Sequence, residues 1–458
     1  MMENRFLPYI KDCFELLEKS DHHLFKLIDE EHQRQNNSLI LVASSGVAYP
    51  SVIAASTSDI TNLTLEGYIG NRFHAGCEVI DQIEHLAIER AKSVFKARYA
   101  NVQPLSAAIA NNGLLFSLLN ANDTILGMHL DAGGHLTHGA KASISGKYFN
   151  AISYGVNSEG LIDYDEVRAL AKKHRPKLII CGASAYPRLI DYKIFREIAD
   201  ETESYLLADI SHIAGLIAAE LIPSPIDEAH FVVTSTSKQL YGPRGGLILM
   251  GKDADTMVNG KKLSNLVQSS IFPGIQGAPN LASVTAKAVM FGEILGNGTF
   301  LPMMKRVQKN AKYLADALHE KGYKVIAGGT DTHMVLVDIF SSKAMTGFVA
   351  EKALEQCRVI VNKNRIPEDQ HSVFVTSGIR FGTNTIAYHG MEKEGVLACV
   401  DIINNILSST QCIDTKQFEL APKIKQEAKE AIAYIKQNLC NNNVKINKHH
   451  ESLVESVV

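Results

Sequence analysis

No charge of one sign dominates this sequence. Its 458 residues include 46 Lys and Arg against 49 Asp and Glu, which gives a formal net charge of -3 at pH 7. A nucleic-acid-binding surface needs an excess of Lys and Arg, because the phosphates supply most of the attraction. We therefore expect no nucleic-acid partner and a small-molecule substrate instead.

Long apolar runs and paired cysteines are also missing. No apolar run approaches the roughly 18 residues that span a bilayer. The N-terminal stretch MMENRFLPYIKDCFELLEK mixes charges of both signs, unlike a secretory signal. The seven cysteines are odd in number and scattered, without the close spacing of a zinc site or a disulfide framework. These absences predict reduced thiols, a cytoplasmic location, no membrane partner and no metal site.

What is present is a chain with 46% hydrophobic residues, long enough for two to three domains of about 150 residues each. From about residue 80, helical patterns alternate with short apolar runs such as KLIICGAS, YLLADI and HFVVTSTS, which predicts an α/β fold with a large, mostly parallel sheet. Near residue 290 the pattern changes to that of a smaller α+β domain. The predicted units are a helical N-terminal arm at 1–65 that packs on a partner subunit, a large domain at 66–290, a small C-terminal domain at 291–440 and a flexible tail at 441–458.

Two of the apolar runs end in residues that can do chemistry. In YLLADISHIAG the strand ends at Asp209 and His212 follows, and in HFVVTSTSKQLYGPRGGLILM small hydroxyl residues lead to Lys238 and a glycine-rich turn. Alone, a strand-end aspartate is more often a helix cap, and a lysine is more often solvated. Together they suit pyridoxal phosphate (PLP), which needs a lysine for its aldehyde and an acid for its ring nitrogen. The carboxyl ends of parallel strands are also where open sheets bind ligands.

With these motifs in this order, the chain resembles the serine hydroxymethyltransferase family of fold-type I PLP enzymes. The resemblance runs from about residue 35 to about residue 400. Besides the two runs above, it is carried by EGYIGNRFHAGCEVID, YANVQPLS, GGHLTHG, KLIICGASAYPRLID, SIFPGIQGAP, VNKNRIP and VTSGIRFGT. It implies a fold-type I transferase with a large sheet domain and a smaller C-terminal α+β domain. It also implies PLP as cofactor and tetrahydrofolate as co-substrate.

The resemblance implies roles for individual residues. Lys238 would form the Schiff base with PLP, Asp209 would pair with the ring nitrogen, and His212 would lie near the ring hydroxyl. His135 would stack on the ring. Arg380 would bind the substrate carboxylate with both arms of its guanidinium. The remaining expected contacts are Ser106, Ala107, Ser184 and Gly274 with the cofactor, Ser44, Thr64 and His74 with the substrate, and Leu130, Gly134, Leu136 and Asn364 with folate.

Glu66 matches the acid/base glutamate of the family, which acts at the hydroxymethyl group and at folate. Outside its motif, a single glutamate before glycine would be taken for a solvated loop residue. In the family, the segment around this glutamate and the SIFPGIQGAP turn reach into the neighbouring subunit's site. The resemblance therefore implies a homodimer with shared sites.

Several positions depart from the family's pattern, and they cluster around the expected site. Where the family usually has Ala-Ser-Glu-Asn, residues 43–46 are Ala-Ser-Ser-Gly, so a charge and an amide are lost at Ser45 and Gly46. Thr64 and the pair Phe73 and His74 replace tyrosines. The other departures are Ala108 in the phosphate-binding segment, Ser237 for a histidine before the lysine, and Asn384 for a proline. We expect these changes to tune substrate choice and cofactor affinity rather than abolish activity.

Three functions fit the sequence. The main one is a hydroxymethyltransferase that interconverts serine and glycine and passes the one-carbon unit to tetrahydrofolate. Thr64 and His74 motivate an alternative: a PLP-dependent aldolase, a transaldolase or an α-substituted-serine hydroxymethyltransferase with an altered substrate. A second alternative is a catalytically idle PLP-binding homologue. The presence of Lys238, Asp209 and Arg380 together argues against the idle homologue.

Overall fold

A computed structural model of the chain describes residues 6–296 and 298–440. The tail expected at 441–458 lies outside these residues. The described residues form seventeen α-helices, none of them both long and apolar enough to cross a membrane. The helices are α1 Phe6–Ser20, α2 His22–Asn36, α3 Pro50–Ser56, α4 Glu78–Phe95, α5 Ala107–Leu118, α6 Ile144–Tyr148, α7 Tyr164–His174, α8 Tyr192–Thr202, α9 Ala214–Ala218, α10 Leu263–Ser269, α11 Leu281–Gly296, α12 Phe300–Glu320, α13 Ile339–Lys343, α14 Gly347–Gln356, α15 Asn384–Tyr388, α16 Lys393–Ser409 and α17 Pro422–Asn438.

The strands within the same ranges form two main sheets and several two-stranded pairs. They are β1 Leu39–Ile40, β2 Gly67–Tyr68, β3 Asn71–Arg72, β4 Tyr99–Asn101, β5 Thr124–Met128, β6 Asn150–Tyr154, β7 Leu178–Gly182, β8 Tyr205–Asp209, β9 Phe231–Ser235, β10 Gly246–Met250, β11 Met257–Val258, β12 Lys261–Lys262, β13 Lys324–Val325, β14 Met334–Asp338, β15 Val359–Ile360, β16 Asn362–Asn364, β17 Gly378–Gly382, β18 Gln411–Cys412 and β19 Phe418–Glu419.

The large sheet has seven strands in the order β4–β10–β9–β8–β7–β5–β6. Strands β5 to β9 pair in parallel, and β10 runs antiparallel between β9 and β4. The predicted α/β fold with a large, mostly parallel sheet is therefore confirmed. Because β8 and β9 are parallel neighbours, the residues that follow them emerge at the same edge of the sheet.

Both faces of this sheet are covered by helices. Alternate strand residues point to opposite faces. In β7, Leu178 and Ile180 pack with α5 and α10, whereas Ile179 and Cys181 pack with α4, α7, α8 and α11. The strands are consequently apolar throughout, which explains why the sequence shows continuous apolar runs rather than alternation.

The second main sheet is antiparallel, in the order β13–β14–β17–β16. It shares a separate core with α14, α16, α17 and the second half of α12, while the first half of α12 packs on the large sheet. Leu39 and Leu41 also belong to this second core, since β1 pairs in parallel with β15. A stretch expected in the N-terminal arm thus contributes to the packing of the C-terminal part.

Lys287 is an ionisable residue inside the protein, and burial lowers the pKa of its amine to about 7. It lies on α11 with only 1% of its surface exposed. Its ammonium donates to the carbonyl oxygens of Val102 (2.6 Å), Gly246 (2.9 Å) and Pro104 (3.2 Å). Val102 and Pro104 follow β4 and Gly246 begins β10, so one side chain joins the segment that leads into residues 105–108 to the start of β10.

We expect Lys287→Met to lower the free energy of unfolding by at least about 1–3 kcal/mol, because buried carbonyls would lose their donor. Urea denaturation measures the change. Lys312→Met, at an exposed position of α12, is the matched control and should stay within about 0.5 kcal/mol of the parent. Equal losses in the two variants would mean that the buried ammonium contributes nothing specific.

Candidate active site

A cleft of about 410 Å³ opens at the carboxyl ends of the parallel strands. It is lined by residues that are far apart in the sequence. Among the residues predicted from the sequence, the structure brings together Ser44, Ser106, Ala107, His135, Ser184, Asp209, His212, Lys238 and Arg380 in its wall.

Asp209 is the last residue of β8 and is 7% exposed. Its Oδ2 accepts hydrogen bonds from Asn111 Nδ2 (2.8 Å) and His138 Nε2 (3.1 Å), and its Oδ1 accepts from Ser211 Oγ (2.6 Å). Burial opposes the charge of this carboxylate, but the hydrogen bond and Coulomb attraction of His138, with smaller contributions from His135 and the Ser211 hydrogen bond, outweigh it and lower the pKa well below the usual range. Asp209 therefore stays ionised at neutral pH.

His135 stands at the start of a short turn, Leu136–His138, that crosses the cleft wall. Its Nδ1 lies 2.8 Å from Thr137 Oγ1, which also accepts from Asn111 Nδ2 at 2.9 Å. Burial lowers the pKa of His135 to about 4, so the ring is neutral at pH 7. A neutral, fixed imidazole is suited to packing against a planar ligand.

Lys238 follows β9 at the same edge of the sheet as Asp209. Burial lowers the pKa of its amine, while the charge of Asp209 opposes that shift. The backbone here is closely packed, since a Cβ on Gly46 would lie 2.1 Å from the Lys238 carbonyl oxygen. Only glycine permits this approach. The sequence change to Gly46 thus brings residues 43–46 directly onto the lysine segment.

The opposite end of the cleft is built on the start of α5. Ser106 caps this helix, because its Oγ accepts from the Ile109 amide at 3.1 Å. Ala107 and Ala108, the first helical residues, also line the cleft. Helix N-termini offer free amides and a positive dipole end to anions. An anionic group can bind here even though the two alanines supply no hydroxyl.

Arg380 is the third residue of β17 and is 8% exposed. Its Nε donates to Asn362 Oδ1 at 3.1 Å, and its Nη1 donates to the Ser184 carbonyl oxygen. Burial lowers its pKa to about 10, which leaves the guanidinium charged at neutral pH. Both partners are neutral oxygens, so the positive charge is available to a carboxylate.

Four predicted residues lie outside the wall of this cleft: Glu66, Thr64, His74 and Gly274. Thr64 and His74 are exposed. The Glu66 amide donates to His74 Nδ1 at 3.3 Å, and a Cβ on Gly277 would lie 3.2 Å from Glu66 Oε1. Glu66 and the SIFPGIQGAP turn are therefore neighbours. The turn also approaches the cleft wall, since the Leu105 amide beside Ser106 donates to Gln276 Oε1 at 3.3 Å.

The predicted folate residues Leu130, Gly134, Leu136 and Asn364 are also outside the cleft wall. An ion pair of 2.9 Å between Arg365 Nη1 and Asp131 Oδ1 joins the loop after β5 to the end of β16. This pair brings Leu130 and Asn364, each beside one of its members, into the same neighbourhood. Leu136 is 51% exposed next to His135, which is an apolar surface beside the cleft.

The structure adds residues that the sequence reasoning did not single out. His138 and Asn111 hold Asp209, and the His333 ring stacks on the His212 ring with centroids 5.8 Å apart and an angle of 20°. The repeated histidine in GGHLTHG is a sequence signal for His138. No signal pointed to Asn111, which lies mid-helix, or to His333, which lies in another part of the chain.

The residues of the cleft can be compared with the groups that PLP needs. An amine and an ionised carboxylate stand in one cleft, and a helix N-terminus forms part of its wall. Within the described ranges, His212 Nδ1 is a buried polar atom without a protein partner. Such an atom is what a ligand hydroxyl or a water would satisfy. The residues present therefore fit an aromatic aldehyde that carries a phosphate.

Three residues of the cleft wall can also be considered as ligands of a metal ion. His135, His138 and Asp209 place their ligand atoms within 4.8 Å of one another. Asp209 Oδ2, however, already accepts from His138 and Asn111. The expectation of no metal site stays a prediction.

Comparison with known proteins gives a consistent result. A family model described as serine hydroxymethyltransferase matches residues 17–403. A protein of Rickettsia bellii (strain RML369-C), named probable serine hydroxymethyltransferase, is 47% identical over 392 residues, which is 85% of this chain and 91% of that protein. The range 17–403 contains every cleft residue described above.

Proposed function

The chain belongs to the serine hydroxymethyltransferase family, and we propose that the cleft at Lys238 is where it carries out the family's reaction. The protein is a PLP-dependent transferase that interconverts serine and glycine, with tetrahydrofolate as co-substrate. The aldolase and idle-homologue alternatives are not favoured. The roles of individual residues are our proposal.

Four groups would hold the cofactor. Lys238 would hold its aldehyde, Asp209 would pair with its ring nitrogen, His135 would pack on its ring, and the α5 N-terminus at Ser106 would bind its phosphate. The single observation that carries this assignment is that Asp209 at the end of β8 and Lys238 after the adjacent parallel β9 line one cleft. When bound, PLP supplies an electron sink for the bond that breaks at the substrate α carbon.

The chain's own residues supply the rest of the chemistry. Asp209, kept ionised by its hydrogen bonds, holds a proton on the ring nitrogen. Lys238, whose amine pKa is lowered by burial, is more often neutral and therefore nucleophilic. Arg380 binds the substrate carboxylate and fixes its orientation in the cleft. Glu66 moves the proton at the substrate hydroxyl.

The experiment that tests this function is a turnover assay. The purified protein with PLP, serine and tetrahydrofolate should form glycine, and omission of tetrahydrofolate should remove most of the activity. Glycine alone should change the visible spectrum only weakly, and glycine with tetrahydrofolate should change it strongly. A strong response that ignores folate, with no serine turnover, would overturn the folate-dependent function.

We also propose that the active unit is a homodimer whose sites are shared. Phe14, Leu16 and Leu24 on α1 and α2 are 52%, 63% and 45% exposed, and Phe73 beside His74 is 75% exposed. Large apolar side chains exposed close together on neighbouring helices are ones that a partner subunit would cover. Glu66 lies outside its own chain's cleft wall, so a second copy can supply it.

A mixture of two inactive variants tests the shared site. Lys238→Ala and Glu66→Ala chains are each expected to be inactive as homodimers. Refolded together, they form heterodimers in which one cleft has Lys238 from one chain and Glu66 from the other, so activity should return. The same mixture shows no recovery if Glu66 serves the cleft of its own chain, because both clefts of the heterodimer would then be defective.

A cytoplasmic location is a further proposal. The seven cysteines are free, and Cys77, Cys181, Cys357 and Cys399 are buried. Free thiols are typical of a reducing compartment.

A further inference from the structure

Asn384 is a buried polar residue whose side-chain hydrogen-bond partners are chain neighbours of the cleft residues Ser44 and Lys238. It is the first residue of α15, four positions after Arg380, and is 1% exposed. Its Nδ2 donates to the carbonyl oxygens of Ala43 (3.2 Å) and Ser45 (3.4 Å). Its Oδ1 accepts from Gln239 Nε2 at 3.3 Å. The side-chain amide thus links residues 43–45 to Gln239, the residue after Lys238. Its own helix follows the strand that carries Arg380.

The two carbonyls that Asn384 binds lie on either side of Ser44, a residue that lines the cleft. Residues 43–46 have little freedom elsewhere. A Cβ on Gly382 would lie 2.2 Å from the Ala43 Cα, and a Cβ on Gly46 would lie 2.1 Å from the Lys238 carbonyl oxygen. The amide of Asn384 therefore fixes the orientation of a backbone segment that is already clamped between the Arg380 strand and the lysine segment.

This amide departs from the pattern that the family resemblance implies. By the family's pattern, position 384 would be a proline and position 46 would be an asparagine, whereas the chain has Asn384 and Gly46. Relative to that pattern, the chain lacks a side-chain amide at position 46, beside Lys238. It has one at position 384 instead, on α15. The present hydrogen bonds from Asn384 to Ala43 and Ser45 secure the same segment from the opposite side.

We propose that Asn384 is a positioning residue for the amino-acid carboxylate, because it holds Ser44 in register with Arg380. The inference rests on the proposed function of Arg380 in binding that carboxylate and on the expected contact of Ser44 with the substrate. Asn384 itself acts through the Ser44 segment and does not touch the substrate. Its loss should therefore weaken binding of ligands that carry a carboxylate and leave the bound cofactor unchanged.

The test uses two variants of the full-length, PLP-loaded protein. Asn384→Ala removes the amide, and Asn384→Pro does the same at the first position of a helix, where proline is well tolerated. Asn310→Ala is the matched control, because Asn310 is also fully buried and donates to a backbone carbonyl, that of Met391 at 2.9 Å, away from the cleft.

We expect both Asn384 variants to weaken glycine binding, followed by the visible band of bound PLP, by about tenfold. KM for serine should rise by a similar factor, with kcat and PLP loading within about twofold. Glycinamide, which has no carboxylate, should bind equally to parent and variants. The control should lose thermal stability but keep its affinity for glycine.

Three results would overturn the inference. The first is unchanged glycine affinity in both Asn384 variants with normal PLP loading. The second is an equal loss of glycinamide binding, and the third is an equal loss of glycine binding in Asn310→Ala. Glycine binding requires no turnover. A parent protein that binds glycine but does not convert serine would therefore contradict the proposed function. The glycine affinities of the Asn384 variants would still test the role of Asn384 in that case.

Discussion

Replacing Lys238 with alanine is expected to lower kcat by about 10²–10⁴-fold and to remove covalently held PLP. The amine lies in a cleft with an ionised Asp209, and no other lysine lines that cleft among the described residues. The variant can still bind the phosphate at the α5 N-terminus and the ring on His135. Serine turnover and visible absorbance after gel filtration measure the two effects separately.

Lys252→Ala, at an exposed lysine after β10, is the control and should keep both turnover and cofactor. A Lys238→Ala protein that remains coloured, with PLP that borohydride can fix to the chain, would show that another amine holds the cofactor. Near-normal turnover of this variant would contradict the role of Lys238 directly.

Arg380→Ala is expected to lower kcat/KM for serine by roughly 30- to 5000-fold. This factor corresponds to a loss of about 2–5 kcal/mol of transition-state binding energy. The guanidinium is 8% exposed, and its known partners are the neutral oxygens of Asn362 and Ser184. A substrate carboxylate in the cleft would be buried beside this guanidinium. In the alanine variant the same carboxylate would be buried without a counter-charge. Steady-state kinetics with serine measure the change.

Arg380→Lys separates charge from geometry. Lysine keeps the charge but lacks the planar fork that binds both carboxylate oxygens, so it should restore only part of the loss. Arg98→Lys, at an exposed arginine, should change nothing. If Arg380→Ala weakened glycinamide binding as strongly as glycine binding, the arginine would be supporting the cleft rather than binding the carboxylate.

The centre of the site could be predicted from the sequence because it follows from local pattern. One apolar run ends at Asp209 and another precedes Lys238, and each predicts a strand. Parallel strands put their carboxyl ends at one edge of a sheet. Both residues line the same cleft in the structure. The α/β fold follows from the same runs, since strands covered on both faces are apolar throughout.

The partners of these residues could not be predicted in the same way. Asn111 reaches Asp209 from the middle of α5, and Asn384 reaches Ala43 from a distant part of the chain. Such hydrogen bonds depend on how helices sit on the sheet, which periodicity does not specify. The packing of Leu39 and Leu41 in the second core was missed because β1 is only two residues long and pairs with distant β15.

The claim that Lys238 holds the cofactor can be measured most directly by chemical trapping. Borohydride reduction of the PLP-loaded protein, followed by proteolysis and mass spectrometry, should place the added mass on the peptide that contains Lys238. The Lys238→Ala protein, treated in the same way, should carry none. Cofactor fixed mainly to another residue, such as the buried Lys287, would contradict the account.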